Sequence, residues 1–261
     1  MAIIPFRKPD GPRPDICKMK NRVLNGELLP PAGEMEKREI AGEHTSEPIK
    51  NPRDITRISE FLISNKRYRD NMLFILGINF GLRVSDLLSI MFCDLFEIQH
   101  NQHVFKRSFP ILEAKTKNTR KVQRNRYVTI NNAVMDAVEL YLQHFSPKLD
   151  DFLFVSESNH ANGALSRMSV DRILKGIGRD LDMPYKISTH TLRKTFAFHQ
   201  MVKENNDPRR LLLLQKIFGH SSVAQTLDYI GITKDEIEQA YLDLNLGANV
   251  CLLDSRISEA S

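Results

Sequence analysis

Apolar positions in this chain recur mostly at helical spacing. Beyond Asn51-Pro52 or Asp54, where a capping side chain and an early proline suit a helix N-terminus, Ile55, Ile58, Phe61 and Leu62 share one face. "YRDNMLFILGINFG" reads as a second, largely buried helix that stops at Gly81, and "SDLLSIMFCDL" as a third, capped by Ser85. The period then changes. "HVFKR", "FPILEAKT" and "NRYVTI" are short β-rich runs separated by polar turn residues, which predicts one small antiparallel sheet of three strands. Helical spacing returns in "NNAVMDAVELYLQHF", with "DFLFVS" as a short extended run after it. It continues over about 169–180, 189–204, 208–218 and 222–229, with a final helix near 234–244. The fold class expected is therefore mainly α with a small three-stranded antiparallel β-sheet (α+β).

The front of the chain breaks this pattern. Six of the twelve prolines fall within the first 31 residues, and no periodicity is sustained there. Residues 1–50 are expected to be an arm or linker with one short helix near 15–25, ahead of a domain over 51–245 and a tail over 246–261. No apolar run approaches the ~20 residues of a membrane span.

Charge sharpens the picture. The 261 residues carry a net charge of +5, and its distribution is uneven. Residues 101–130 hold eight Lys or Arg against one acid, whereas residues 231–261 hold two against six. Such a basic run is either a solvated hairpin or a phosphate-binding surface. Three cysteines far apart in sequence, Cys17, Cys93 and Cys251, argue for reduced thiols in a cytoplasmic protein. His100 and His103 form an H-x-x-H without an evident further ligand, so no metal site is expected.

Four stretches place an ionisable side chain beside a glycine or a helix end: "FGLRVSDLL" with Arg83, "AKTKNTRK" with Lys115 and Lys117, "STHTLRKTFA" with His190 and Arg193, and "GHSSVAQTLDYIG" with His220 and Tyr229. His190 and Arg193, three apart, share a helix face. Asp86 stands three residues after Arg83, where it can orient the guanidinium. Each feature alone has an ordinary explanation as a surface charge, a cap or a packing residue.

Their order and spacing together resemble the tyrosine recombinases, the phage integrase family. The matching elements are "GLRVSDLL" at 81–88, "KT" at 115–116, "HTLR" at 190–193, and "GH" at 219–220 with Tyr229 nine residues after the histidine. The resemblance covers roughly residues 47–245 and implies the family's catalytic-domain fold. It implies that Arg83 and Arg193 hold the scissile phosphate with planar, permanently charged forks. Tyr229 would be the nucleophile; with an ordinary pKa near ~10 it needs a proton acceptor, the role implied for His190. His220 would hydrogen-bond a non-bridging oxygen, and Lys115 from the hairpin would protonate the leaving 5′ oxygen, with Lys117 as the alternative. Asp86, where many relatives have Glu, would orient Arg83. Lys117, Arg120, Lys121, Arg124 and Arg126 are candidates for contact with the DNA backbone.

The activity implied is site-specific strand exchange through a 3′-phosphotyrosyl intermediate, with no cofactor, neither ATP nor metal. The partners implied are double-stranded DNA recombination sites and three further copies of the chain in a homotetramer. In many relatives a helix just past the nucleophile docks on the neighbouring subunit, and "KDEIEQAYLDL" presents Ile237, Ala240, Tyr241 and Leu244 on one face. The family's usual helical clamp domain finds no match in residues 1–50, so either a short arm replaces it or the chain is part of a longer one. Two other activities fit the same scaffold: nicking and resealing of the type IB topoisomerase kind, and DNA-binding regulation without catalysis. Retention of Arg83, His190, Arg193, His220 and Tyr229 together argues against the regulator.

Overall fold

The structure, a computed structural model, describes residues 46–100, 102–111, 126–156, 163–202 and 207–230. Helix α1 (Pro52–Ser64) begins as the sequence suggests: the Asn51 side chain accepts the Arg53 N–H, and Pro52 occupies the first turn. Its Ile58 and Leu62 are fully buried. They face α2 (Tyr68–Phe80), which is buried on most of its circumference and forms the centre of the domain. Two later helices flank α2, namely α5 (Asn132–Leu142) and α7 (Thr189–Val202). Gly77 lets α7 come close, since a Cβ there would lie 2.6 Å from the Leu192 side chain.

After α2 the chain makes two short helices, α3 (Val84–Leu88) and α4 (Phe92–Leu95). Arg83, not Ser85, is the residue capping α3. The β region also differs from expectation: among the described residues there are two two-stranded antiparallel ladders instead of one three-stranded sheet. Strand β1 (Phe96–Gln99) pairs with β2 (Gln102–Phe105), and β3 (Ser108–Ile111) with β4 (Arg126–Thr129). The "FEIQ" strand runs on directly from a helical segment, which hid it in the pattern. His100 ends it at φ +48, the left-handed conformation a two-residue hairpin turn calls for. At Lys106-Arg107 the chain leaves the first ladder: the Lys106 N–H donates to the Leu95 carbonyl, while the Arg107 carbonyl accepts from Ile130 in the second. Phe109 and Val128 of that second ladder point into the core.

The extended run "DFLFVS" makes only isolated bridges, Phe152 with Met91 and Val155 with Ala164. Three more helices complete the described chain: α6 (Arg167–Asp180), α8 (Pro208–Phe218) and α9 (Val223–Ile230). Packing begins before α1. Ile49 is fully buried, its N–H donates to Thr195 Oγ1 at 2.9 Å, and His199 Nε2 donates to its carbonyl at 2.9 Å. A separate apolar cluster of Ala197, Leu214 and Phe218, with Phe196, Tyr229 and Ile230 against it, joins α7, α8 and α9. No described helix is long and apolar enough to cross a membrane. The helices expected near 15–25 and 234–244 lie outside the described residues.

Gly81 connects this packing to the rest. It ends α2 at φ +57, and a Cβ there would meet the Phe196 ring at 2.4 Å. Both facts oppose a side chain, so Gly81→Ala is expected to cost at least about 1–2 kcal/mol from the left-handed backbone alone. A lowered urea midpoint checks this; an unchanged midpoint would contradict it.

Candidate active site

Four helix ends meet at one cleft. The turn at Gly81 delivers Arg83, whose carbonyl accepts the N–H groups of Asp86 and Leu87 as α3 starts. The first turn of α7 presents His190 and Arg193. Helix α8 ends on Gly219 at φ +65, so His220 follows at a sharp turn, its N–H donating to the Gln215 carbonyl at 3.1 Å. Helix α9 then carries Thr226 and Tyr229, three apart and on one face. Arg83, His190, Arg193, His220 and Tyr229 all line a cleft of about 300 Å³ together with Arg167, Thr189 and Gln225. Residues scattered from 83 to 229 thus converge.

The contacts within the cleft are specific. His190 Nδ1 lies 3.3 Å from the Tyr229 hydroxyl oxygen. His220 stands edge-on to the same phenol ring, with centroids 5.6 Å apart. Its Nδ1 is 3.0 Å from Thr226 Oγ1, and Thr226 is fully buried. The Thr226 hydroxyl has a much longer alternative, the Ser222 carbonyl at 3.5 Å. With the hydroxyl donating to Nδ1, His220 keeps its proton on Nε2, where it can be donated to a bound oxygen.

Arg193 is the most enclosed of the set, only 3% exposed. One guanidinium nitrogen donates to the Gly81 carbonyl at 2.9 Å and another to the Phe218 carbonyl at 3.3 Å. Its charge sits 4.1 Å from the centre of the Phe218 ring and 5.6 Å from that of Tyr229. It is therefore held rigidly by the elements that end at the cleft. Asp86 is buried, and the Ser85 hydroxyl donates to its carboxylate at 3.5 Å.

Electrostatics set the protonation states. Burial pushes the His190 imidazole below its ordinary 6.5, and the charges of Arg167, Lys194 and Arg193 push the same way against Asp171. Burial raises the Tyr229 phenol above its ordinary 10.0, while the charges of Arg193 and Arg83 and a hydrogen bond from Arg193 pull it back. At neutral pH the pair is thus a protonated phenol beside a neutral imidazole. Such a cleft can bind a tetrahedral oxyanion between two guanidinium groups and take a proton from the tyrosine.

Lys115, Lys117, Arg120, Lys121 and Arg124 lie outside the described residues. Arg126 opens β4 and donates to the Phe80 carbonyl at 3.2 Å, a half-buried position near the Gly81 turn. The motifs did not point to Thr226 or Arg167. Thr226 could have been found, because it shares a helix face with Tyr229 within "GHSSVAQTLDYIG". Arg167 could not, since only the packing of α6 beside α7 brings it to the cleft.

The fold and the sequence both have known counterparts. The phage integrase family matches residues 51–236. The chain is 30% identical over 198 residues to the probable integrase/recombinase YoeC of Bacillus subtilis, covering 76% of this chain and 96% of YoeC. It is 29% identical over 167 residues to tyrosine recombinase XerD of Listeria innocua, covering 62% of this chain but 49% of XerD. The chain therefore spans nearly all of YoeC and about half the length of XerD. Among solved structures, the XerA recombinase superposes with a TM-score of 0.53 at 20% identity, covering 79% of this chain and 66% of XerA. The XerH site-specific recombinase, in a post-cleavage complex with its palindromic difH substrate, gives 0.54 at 19% identity, covering 79% and 55%. These two likenesses speak to the fold. With most of the chain matched by the family and nearly all of one relative aligned to it, this chain belongs to the phage integrase family and is a tyrosine recombinase.

Proposed function

We propose that the chain cleaves and rejoins DNA strands at specific sites, with Tyr229 as nucleophile. One observation carries the reading: a ring nitrogen of His190 stands 3.3 Å from the Tyr229 oxygen inside a cleft that also holds Arg83 and Arg193. The phenol oxygen attacks the scissile phosphorus and passes its proton to His190. The bond to the 5′ oxygen breaks, leaving a 3′-phosphotyrosyl link and a 5′-hydroxyl. Lys115 supplies the proton to that departing oxygen. Arg83 and Arg193 neutralise the charge that builds on the phosphoryl oxygens, and His220 donates to one of them. Attack by the 5′-hydroxyl of a partner strand reverses the step. Each exchange trades one phosphodiester for another, so no nucleotide hydrolysis is needed. Four copies acting on two paired duplexes would complete the exchange.

The test uses duplex DNA from the sequence flanking the gene, nicked beside candidate cleavage points so that the 5′-hydroxyl fragment diffuses away. Wild-type protein should become covalently attached. Strand exchange between two duplexes supports a recombinase, relaxation without exchange supports a nicking and resealing enzyme, and binding without attachment overturns the reading.

The pH dependence is also defined. His190 must be neutral to accept the proton, and its pKa lies below the ordinary 6.5. Cleavage at subsaturating DNA, which reports the free enzyme, should therefore rise along an acid limb centred below that value. A limb centred above it would exclude His190 as the base.

A further inference from the structure

Arg167 belongs to none of the motifs, yet its side chain lines the same cleft as Arg83, Arg193 and Tyr229. It is the first residue of α6, just after the Ser166 cap, and it is exposed. Its side chain makes no hydrogen bond or ion pair to another described residue. The acid one turn on, Asp171, is engaged by Lys175 at 2.7 Å. Its location is unfavourable for the protein alone. A cation in a first turn meets the positive end of the helix dipole, and that turn of α6 holds no acid to offset it. Two further guanidinium groups share the cleft, so like charges accumulate there. A bound polyanion would relieve both penalties at once.

We propose that Arg167 grips a DNA phosphate next to the scissile one, as a third guanidinium of the cleft. This rests on the reading of the cleft as a DNA phosphate site, and it adds a contact that reading does not contain. Arg167 sits at the mouth, exposed, whereas Arg193 is enclosed. The two arginines therefore have different tasks. Arg193 is fixed in place for the reacting phosphorus, and Arg167 is free to take a neighbouring phosphate as the duplex seats. A second effect follows from its charge. The groups facing His190 are Arg167 and Asp171 from α6, Lys194 and Arg193 from α7, and Tyr229 from α9. Removing Arg167 deletes one positive neighbour, so the imidazole rises toward its ordinary range.

The experiment compares Arg167→Gln and Arg167→Lys. Binding to a short duplex of arbitrary sequence is measured against salt in a Tyr229→Phe background, where no cleavage occurs. Arg167→Gln should bind severalfold more weakly, with a salt slope smaller by about one phosphate contact, and Arg167→Lys should restore most of the slope. In the catalytically intact background, Arg167→Gln should move the acid limb of cleavage to higher pH, and Arg167→Lys should leave it in place. Neither change should lower the unfolding midpoint, because the arginine opposes the helix dipole. Wild-type affinity and salt slope in Arg167→Gln overturn the proposal, as does a lysine variant that behaves like the glutamine one. The outcomes separate from those of the parent reading. Covalent attachment with an unchanged slope removes this contact alone, whereas a reduced slope without attachment in wild type keeps the contact and removes the cleavage chemistry.

Discussion

Tyr229→Phe is expected to abolish covalent attachment to nicked DNA while leaving binding and folding close to wild type. The phenyl ring keeps its edge contacts with Phe218 and His220, whose centroids lie 5.5 and 5.6 Å away. Only the hydroxyl is lost. Of its two partners, His190 keeps part of its surface in solvent and Arg193 keeps its bonds to the Gly81 and Phe218 carbonyls, so the cost to folding is small. The other hydroxyl held against an imidazole among the described residues, that of Thr226 on His220, is fully buried and does not line the cleft, so the loss should reach background, on the order of 10⁴-fold or more. Trapping on a nicked duplex with a parallel gel-shift titration checks both halves. Residual attachment near the wild-type level would mean that another residue is the nucleophile.

Arg193→Lys is expected to damage chemistry and stability together, which separates it from the tyrosine change. The guanidinium spans two buried carbonyls, those of Gly81 and Phe218, and lies over the Phe218 ring at 4.1 Å. A lysine ammonium is a single point and cannot reproduce that fork. One carbonyl left without its donor costs about 1–3 kcal/mol, which a urea melt reads directly. In cleavage, loss of a preorganised donor to the developing charge should cost on the order of 10²–10³-fold under single-turnover conditions. The rate loss should persist at temperatures where the variant is fully folded. A variant that regains wild-type cleavage once folded would show that Arg193 only supports the fold.

The enclosure of Arg193 is not visible in the motif. Its spacing from His190 placed it on the right helix face, but a phosphate-binding arginine suggests an open side chain, and this one is 3% exposed. What the sequence carried well were features decided locally. The Asn51-Pro52 start of α1, the glycine stops at Gly81 and Gly219, and the bounds of α8 follow from capping and left-handed backbone, which need only neighbouring residues. Pairing of strands is a tertiary matter. The four-residue "FEIQ" strand is too short to announce itself, and nothing local says that "HVF" joins it instead of "FPI". The same limit hid Ile49, whose burial depends on Thr195 and His199 far along the chain, and Arg167, whose place in the cleft depends on where α6 lands. The candidate site itself was legible because each of its five described members sits at a helix end marked by glycine or by the turn of a motif.

The measurement that bears most directly on the account is the identity of the residue that becomes attached to DNA. Wild-type protein trapped on a nicked duplex, digested with protease and nuclease and examined by mass spectrometry, should yield one modified peptide. It should contain Tyr229, carrying a nucleotide through its 3′ phosphate, and the released strand should end in a 5′-hydroxyl. Attachment at any other residue, or a link through a 5′ phosphate, would contradict the assignment of this cleft.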